Sequence, residues 1–131
     1  MIVTTTKTLR TLLLLALAVS VASCAGYRNE KRAQDAIKAE NWDSAVYHLL
    51  EALARDPGDF RLKMDLQRAR LRAGNIHFQQ GMRFKEANEL QRARAELELA
   101  VQLDPTHQYA EVELLKVRKD LEIAAQEGGL A

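Results

Sequence analysis

Two stretches of this 131-residue chain share one pattern of small and apolar residues, and this repeat constrains the fold more than any other feature. The stretches align without gaps, at about residues 26–59 and 74–107. The shared landmarks are Ala45, Leu49, Ala52 and Pro57 in the first and Ala93, Leu97, Ala100 and Pro105 in the second. Upstream of them lie a small residue, Ala33 or Gly81, and a large apolar residue, Trp42 or Leu90. Spacings of three and four place residues on one helical face, and proline ends a helix, so each stretch predicts two helices.

This pattern resembles the tetratricopeptide repeat, a 34-residue pair of antiparallel helices in which small residues permit close helix contact. The resemblance implies an all-α fold of antiparallel helix pairs. Phe84 matches a large aromatic position of the family, whereas Ala36 departs from it. The helices are predicted at 27–39, 42–55, 59–87, 90–102 and 107–126.

The two repeats lie 48 residues apart, and the 14 residues beyond one repeat length correspond to two heptads. Two heptads preserve the face of an amphipathic helix, which predicts one long helix over 59–87. Its expected buried stripe is Leu62, Leu66, Ala69, Ala73 and Ile76. A joint or a hairpin at Gly74-Asn75 is the alternative, because glycine followed by asparagine favours turns.

The last helix is predicted to cap the array, since repeat arrays need a terminal element with a polar outer face. Val112, Leu115 and Leu121 are expected on its apolar face. The helical domain is therefore assigned to residues 27–126 and a flexible tail to 127–131.

The first 24 residues have the features of an export signal. Lys7 and Arg10 precede an apolar run, residues 12–19, that is shorter than the ~20 residues a membrane span needs. Val21-Ala22-Ser23-Cys24 then resembles the lipobox of bacterial lipoproteins. In that family the signal is cleaved before the cysteine, which is acylated on sulfur.

The resemblance implies a signal peptide at 1–23 and a lipidated tether at 24–26, with Cys24 as the lipidation site. Cys24 is the only cysteine, so no disulfide can form within one chain. An ordinary secretory signal, with Cys24 incidental, is the alternative. With Ala25 and Gly26 after the cysteine, enteric sorting rules imply outer-membrane delivery, with the domain facing the periplasm.

Charge and motifs provide little basis for catalysis or nucleic-acid binding. The net charge is +1, and removal of residues 1–23 leaves 17 basic and 18 acidic residues. A nearly neutral chain has no general attraction to nucleic acid. The three histidines, His48, His77 and His107, lack metal-ligand spacing, and no phosphate-binding loop is present. We expect no enzyme activity, cofactor, metal or small-molecule substrate, and we interpret Asp43 or Ser44 as a helix-start residue.

Two surface features have competing interpretations. A basic row on the long helix comprises Arg61, Lys63, Arg68, Arg70 and Arg72. It indicates either a solvated face, which we favour, or a surface that binds an acidic partner or anionic lipid headgroups. The first helix of each pair lines a concave groove in the resembled family, which implies partner contacts for Tyr27, Gln34, Lys38, Phe78, Met82 and Lys85. Packing of these side chains inside the domain is an equally weighted alternative.

We therefore expect a membrane-anchored module that binds a protein or peptide partner in the bacterial envelope. The order of lipobox, repeat, long Arg-rich helix and second repeat also resembles the amino-terminal region of some secretins. The alternative is therefore a free-standing or truncated component of a type II secretion or type IV pilus system. A lipoprotein enzyme is the third possibility, which would require a cleft with converging polar groups.

Overall fold

The computed structural model describes residues 28–128, which form five α-helices and no strand. The all-α prediction is confirmed for this part of the chain. Tyr27, Cys24, the signal segment and residues 129–131 lie outside the described residues. The helices are α1 (28–38), α2 (Trp42–Leu53), α3 (Phe60–Glu86), α4 (Leu90–Leu103) and α5 (Gln108–Gly128).

The turn after α1 recurs 48 residues later, after α3. Glu40 and Asn88 are the non-glycine residues with positive φ between 28 and 128, at 54° and 59°. The N–H of the next residue, Asn41 or Glu89, donates to the carbonyl five positions earlier, at 2.9 and 2.8 Å. This bond pattern satisfies carbonyls that a helix end otherwise leaves without partners. The repeated landmarks thus specify the same backbone turn twice.

The start of α2, predicted at residue 42, is stabilised by a side-chain cap. Asn41 is the N-cap residue, and its side-chain oxygen accepts the N–H of Ser44 at 3.1 Å. Asp43 and Ser44, interpreted from the sequence as helix-start residues, both lie in the first helical turn, and the cap itself is Asn41.

The Asp-Pro turns after α2 and α4 are also equivalent. Asp56 accepts the N–H of Gly58 at 3.2 Å, and Asp104 accepts that of Thr106 at 3.0 Å. The next helix is then capped from a side chain in both places. Asp59 Oδ1 accepts the Leu62 N–H, and the residue 48 positions later, His107, uses Nδ1 to accept the Ala110 N–H, both at 3.1 Å. Each cap satisfies a donor in the first helical turn.

The chain divides into two compact units after Leu66. Unit 1 is described from residue 28 and contains α1, α2 and the start of α3. Its buried apolar residues are small or aliphatic: Ala33, Ala36, Ala45, Val46, Leu49, Ala52, Leu62 and Leu66.

Unit 2 begins at Gln67 and is described to residue 128. Its central cluster lies where α4 packs along α5 and consists of Ala93, Leu97, Leu114 and Val117. Partly buried residues pack against this cluster from α3, α4 and α5: Phe78, Phe84, Leu90, Val101 and Leu121. Unit 2 therefore has an aromatic layer on its core.

Gly81 shows why a small residue recurs at this point of the repeat. A Cβ atom there would lie 2.7 Å from Leu97 Cγ and 3.3 Å from the Ala93 carbonyl oxygen. Leu97 is fully buried. The close contact of α3 with α4 thus requires glycine, and the corresponding residue of unit 1, Ala33, is fully buried too.

The long helix is confirmed: α3 runs through Gly74 without a break, and the hairpin at Gly74-Asn75 is wrong. Leu62, Leu66, Ala69 and Ala73 are buried, but Ile76 is 42% exposed, so its place in the buried stripe was wrong. A strict heptad pattern steps by 3.5 residues per turn, whereas a straight helix has 3.6. Beyond Ala73 the buried side also turns toward α4, since Gly74 lies against Ala100 and Gly81 lies against Leu97.

The expected apolar face of the last helix was also wrong. Val112 and Leu115 are exposed, whereas Leu121 packs against the unit 2 core. Nine residues separate Val112 from Leu121, which at 3.6 residues per turn puts them on opposite sides of the helix. The buried face of α5 instead carries Ala110, Leu114 and Val117.

Candidate binding surfaces

In unit 1, Gln34 and Lys38 are the described α1 residues that were predicted to line a partner groove, and their environments differ. Gln34 is half-buried, and its Nε2 donates to Asp65 Oδ2 at 3.1 Å, which ties α1 to α3. Lys38, one turn later, is exposed. Glu30 and Arg61 form a second link between these helices. Of the two residues, Lys38 is therefore exposed to solvent, while Gln34 takes part in a contact within unit 1.

In unit 2, Phe78 is engaged inside the domain. It packs against the α4–α5 cluster, and its ring centroid lies 4.6 Å from that of His107. A tilted contact of this kind adds to apolar burial. Phe78 thus has a structural role in positioning α3, as the packing alternative predicts.

Lys85 is also held by a neighbour. Its Nζ donates to Glu113 on α5, and Lys116 Nζ donates to the other oxygen of the same carboxylate at 2.6 Å. The hydrogen bonds from Lys116 and then Lys85 lower the pKa of Glu113 below its ordinary value of 4.5. Met82, one turn before Lys85, is half-buried. Phe78, Met82 and Lys85 therefore lie on one side of α3. Phe78 and Lys85 make contacts within unit 2.

A polar pair between α3 and α4 was not predicted. His77 Nδ1 lies 2.6 Å from Glu96 Oε2, and both side chains are mostly buried. The carboxylate accepts from the imidazole N–H. His48, the residue 48 positions before Glu96, has a buried Nδ1 without a hydrogen-bond partner in the described part. Within residues 28–128, no three metal-ligating side chains lie close enough to hold an ion.

The basic row on α3 includes several exposed residues. Arg61 pairs with Glu30 and lies 3.8 Å from Asp59, while Lys63 and Arg72 are exposed. Arg70 is half-buried. These contacts and exposures fit the solvated-face interpretation, in which neighbouring acids balance part of the charge.

An open groove of about 400 Å³ lies between the start of α4 and the second half of α5. It is lined by Gln91, Arg94, Arg118, Leu121, Glu122 and Ala125. Glu98 holds both arginines, at 2.9 Å from Arg118 and 3.9 Å from Arg94. No local sequence pattern predicts this groove, because it depends on how α4 and α5 pack together.

Large apolar side chains are exposed on the opposite face of α5. Tyr109 is 75% exposed, Leu115 58%, Val112 48% and Ile123 43%. Helical periodicity identifies this face only after the buried face of α5 has been fixed by Ala110, Leu114 and Val117. None of the helices within residues 28–128 combines the length and apolarity needed to cross a membrane.

No protein-family model, curated protein sequence or solved structure matches this chain significantly.

Proposed function

We propose that this protein is a lipid-anchored, tetratricopeptide-type module that binds a protein partner in the bacterial envelope and acts without catalysis. The observation that carries the proposal is the 48-residue recurrence of one helix–turn–helix geometry. The positive-φ turn, the Asp turn and the buried small residues all recur at that interval. Repeat units built this way present side chains along their helices to extended partners.

The helix pairing adds support within each unit. Gly81 allows α3 to approach α4 closely, and fully buried Ala33 holds the same position in α1. Small residues at this point are what the tetratricopeptide resemblance implies. In this proposal the first helices of the pairs, α1 and α3, carry the partner-binding residues, with Lys38 and Met82 as the main contacts.

The proposed anchor is Cys24, which lies in the lipobox-like sequence that follows the apolar segment. At ~0.8 kcal/mol per buried CH₂, a single acyl chain gives reversible membrane binding and two or three give stable anchoring. A multiply acylated Cys24 would therefore keep the helical domain at the membrane surface, where it can bind partners in the periplasm.

Lipidation is tested by the mass and partitioning of the mature protein. We expect an acyl mass on Cys24 and partition into the detergent phase. The Cys24→Ser variant should lose both properties. Membrane attachment with unchanged mass in that variant would rule out the lipid anchor.

Partner binding is tested by photo-crosslinking of the full lipidated chain in its own cells. A photoreactive amino acid replaces Lys38, and the matched control replaces Glu51, an exposed residue of α2. We expect adducts with an envelope protein from position 38 and far fewer from position 51. Equal adducts, or none from position 38, would contradict a binding role for α1.

A further inference from the structure

The end of unit 1 at which the described chain begins is formed by the start of α1, the turn after α2 and the first turn of α3. Glu30 of α1 pairs with Arg61 of α3, which places the starts of these two helices side by side. The turn at 54–59 joins the end of α2 to the start of α3. We call this part of unit 1, residues 28–32 and 54–63, the anchor-proximal end.

The anchor-proximal end is basic, whereas the other end of unit 1 is acidic. Residues 28–32 and 54–63 contain six basic and three acidic residues, and residues 38–51, around the α1–α2 turn, contain one basic and three acidic residues. The three acids of the anchor-proximal end, Glu30, Asp56 and Asp59, each accept a hydrogen bond within unit 1. Its six basic side chains are all exposed: Arg28, Lys31, Arg32, Arg55, Arg61 and Lys63.

Two large apolar side chains are exposed beside these cations. Phe60, the first residue of α3, is 73% exposed, and Met64, one turn later, is 49% exposed. Lys63 lies on the same side of α3, because residues three or four positions apart share one face of a helix. A combination of large apolar and basic side chains is typical of protein surfaces that enter the membrane interface.

The sequence limits how far this end can lie from the proposed lipid anchor. Four residue steps separate Cys24 from Arg28. A fully extended chain spans at most about 3.6 Å per residue, so the two Cα atoms lie within roughly 14 Å of each other. A lipid on Cys24 would therefore hold the anchor-proximal end close to the membrane surface, whatever conformation the intervening residues adopt.

We propose that the anchor-proximal end binds anionic phospholipid headgroups of the membrane that holds the lipid. Phe60 and Met64 enter the interface, and the basic side chains contact the phosphate groups. The inference rests on the proposed lipid anchor and adds a second attachment, which orients unit 1. The α1–α2 turn then points away from the membrane, and Lys38 stays accessible to a protein partner.

Two other occupants fit this end less well. A symmetric contact with a second copy would bring two basic surfaces together, which opposes association. An acidic protein would have to enter the space between unit 1 and the membrane, which the short link from Cys24 limits to roughly 14 Å. The headgroups, in contrast, are present there at high effective concentration once the lipid is inserted.

The test measures how close position 60 comes to lipid in the mature lipidated chain, reconstituted into vesicles of brominated phosphatidylcholine and phosphatidylglycerol. Bromine on the acyl chains quenches a nearby tryptophan. Trp42 is the only tryptophan and begins α2 at the other end of unit 1, so the wild-type chain is the matched control. We expect little quenching of wild type. Phe60→Trp should lose roughly half of its emission, because one of its two tryptophans meets the bromine.

The charges are tested in the Phe60→Trp background. Lys63→Gln should lower the ratio of quenched to unquenched chains about fivefold, which corresponds to ~1 kcal/mol for one basic side chain at an anionic surface. Lys38→Gln, at the other end of unit 1, should leave the ratio unchanged. Vesicles without phosphatidylglycerol should quench the Phe60→Trp chain only weakly.

Equal fractional quenching of wild type and Phe60→Trp would overturn the proposal, and a second copy bound to this end would give that result. Quenching that depends neither on Lys63 nor on phosphatidylglycerol would overturn it too. Loss of quenching when envelope proteins are added would assign this end to a protein partner instead.

The acyl mass on Cys24 separates this failure from that of the proposed function. An acylated chain that floats with the vesicles but is not quenched at position 60 keeps the anchor and removes the lipid-binding end. A mature chain without an acyl mass removes both.

Discussion

Units 1 and 2 repeat the same backbone but join their helices with different side chains. The positive-φ turn, the Asp turn and the first-turn cap recur at 48 residues, as do the buried alanines of the second helices. The polar contacts that join α1 to α3 in unit 1 differ from those that join α3 to α5 in unit 2. Unit 1 uses a neutral amide, Gln34 to Asp65, together with the Glu30–Arg61 ion pair, whereas unit 2 uses Lys85 to Glu113. The residues at the turns and close helix contacts are thus repeated in both units, whereas the polar side-chain contacts between helices are not.

The two cores differ in bulk at one repeated position as well. Phe84 packs against the unit 2 cluster, while its counterpart Ala36 is a small buried residue in unit 1. Arg92 also lies over the Phe84 ring, 3.9 Å from its centroid. The same position of the repeat thus holds a small residue in unit 1 and an aromatic ring in unit 2.

The largest expected effect tests those close contacts in both units. Ala45→Glu and Ala93→Glu each place a charge at a fully buried site. Each should cost more than about 3 kcal/mol, because an unpaired buried charge cannot be solvated. Thermal unfolding measures the effect, and Ala95→Glu at an exposed site of α4 is the control. A fall in Tm of only a degree or two for both buried variants would contradict the shared helix contact.

Gly81→Ala sharpens the comparison between Gly81 and Ala33. Alanine favours a helix by up to ~1 kcal/mol over glycine, but the new Cβ would crowd fully buried Leu97. Overpacking of this kind costs about 1–3 kcal/mol, so we expect net destabilisation in urea unfolding. The reciprocal variant Ala33→Gly should also destabilise, by helix propensity and lost contact. If Gly81→Ala stabilises the protein, the close α3–α4 approach is wrong.

Removal of the helix caps of α3 and α5 should lower the free energy of unfolding by a smaller amount, and by more at α5 than at α3. Asp59→Ala should cost about 1 kcal/mol by removing the cap of α3. His107→Ala should cost more, since it removes both the α5 cap and the ring contact with Phe78, itself worth about 0.5–1.5 kcal/mol. Equal losses measured by urea unfolding would mean that the ring contact adds nothing.

The smallest effect is the pH dependence of Glu113. Its lowered pKa means that the folded state holds the ionised form more tightly than the unfolded state does. The stabilisation is present above the ordinary value of 4.5 and is lost as pH falls through the lower folded value. Glu113→Gln should therefore destabilise near neutral pH by about 1 kcal/mol or less, and the difference from wild type should shrink on acidification.

Urea unfolding across pH 3 to 7 measures this difference, with Lys85→Met as the background for a double variant. Because Lys85 supplies part of the stabilisation, Glu113→Gln should cost less in that background. A penalty that is independent of pH would show that Glu113 acts by packing alone.

Much of the fold followed from the sequence because proline and repeated small residues mark helix ends and close contacts locally. The boundaries of α3 were predicted to within a residue. Burial of Ile76 was wrong because the side of α3 that faces α4 carries Gly74 and Gly81. The orientation of Val112 was wrong because nine residues place it on the opposite side of α5 from Leu121. The His77–Glu96 pair and the α4–α5 groove depend on how helices cross, which no local pattern specifies.

The central structural claim is that one continuous α3 joins the end of the first repeat to the start of the second. Spin labels at exposed Phe60 and Glu86 test it directly in the full chain. A continuous helix places their Cα atoms about 39 Å apart at 1.5 Å per residue. A single narrow distance near 40 Å between the labels is the predicted result, and a distance under about 20 Å would mean that the chain folds back at Gly74.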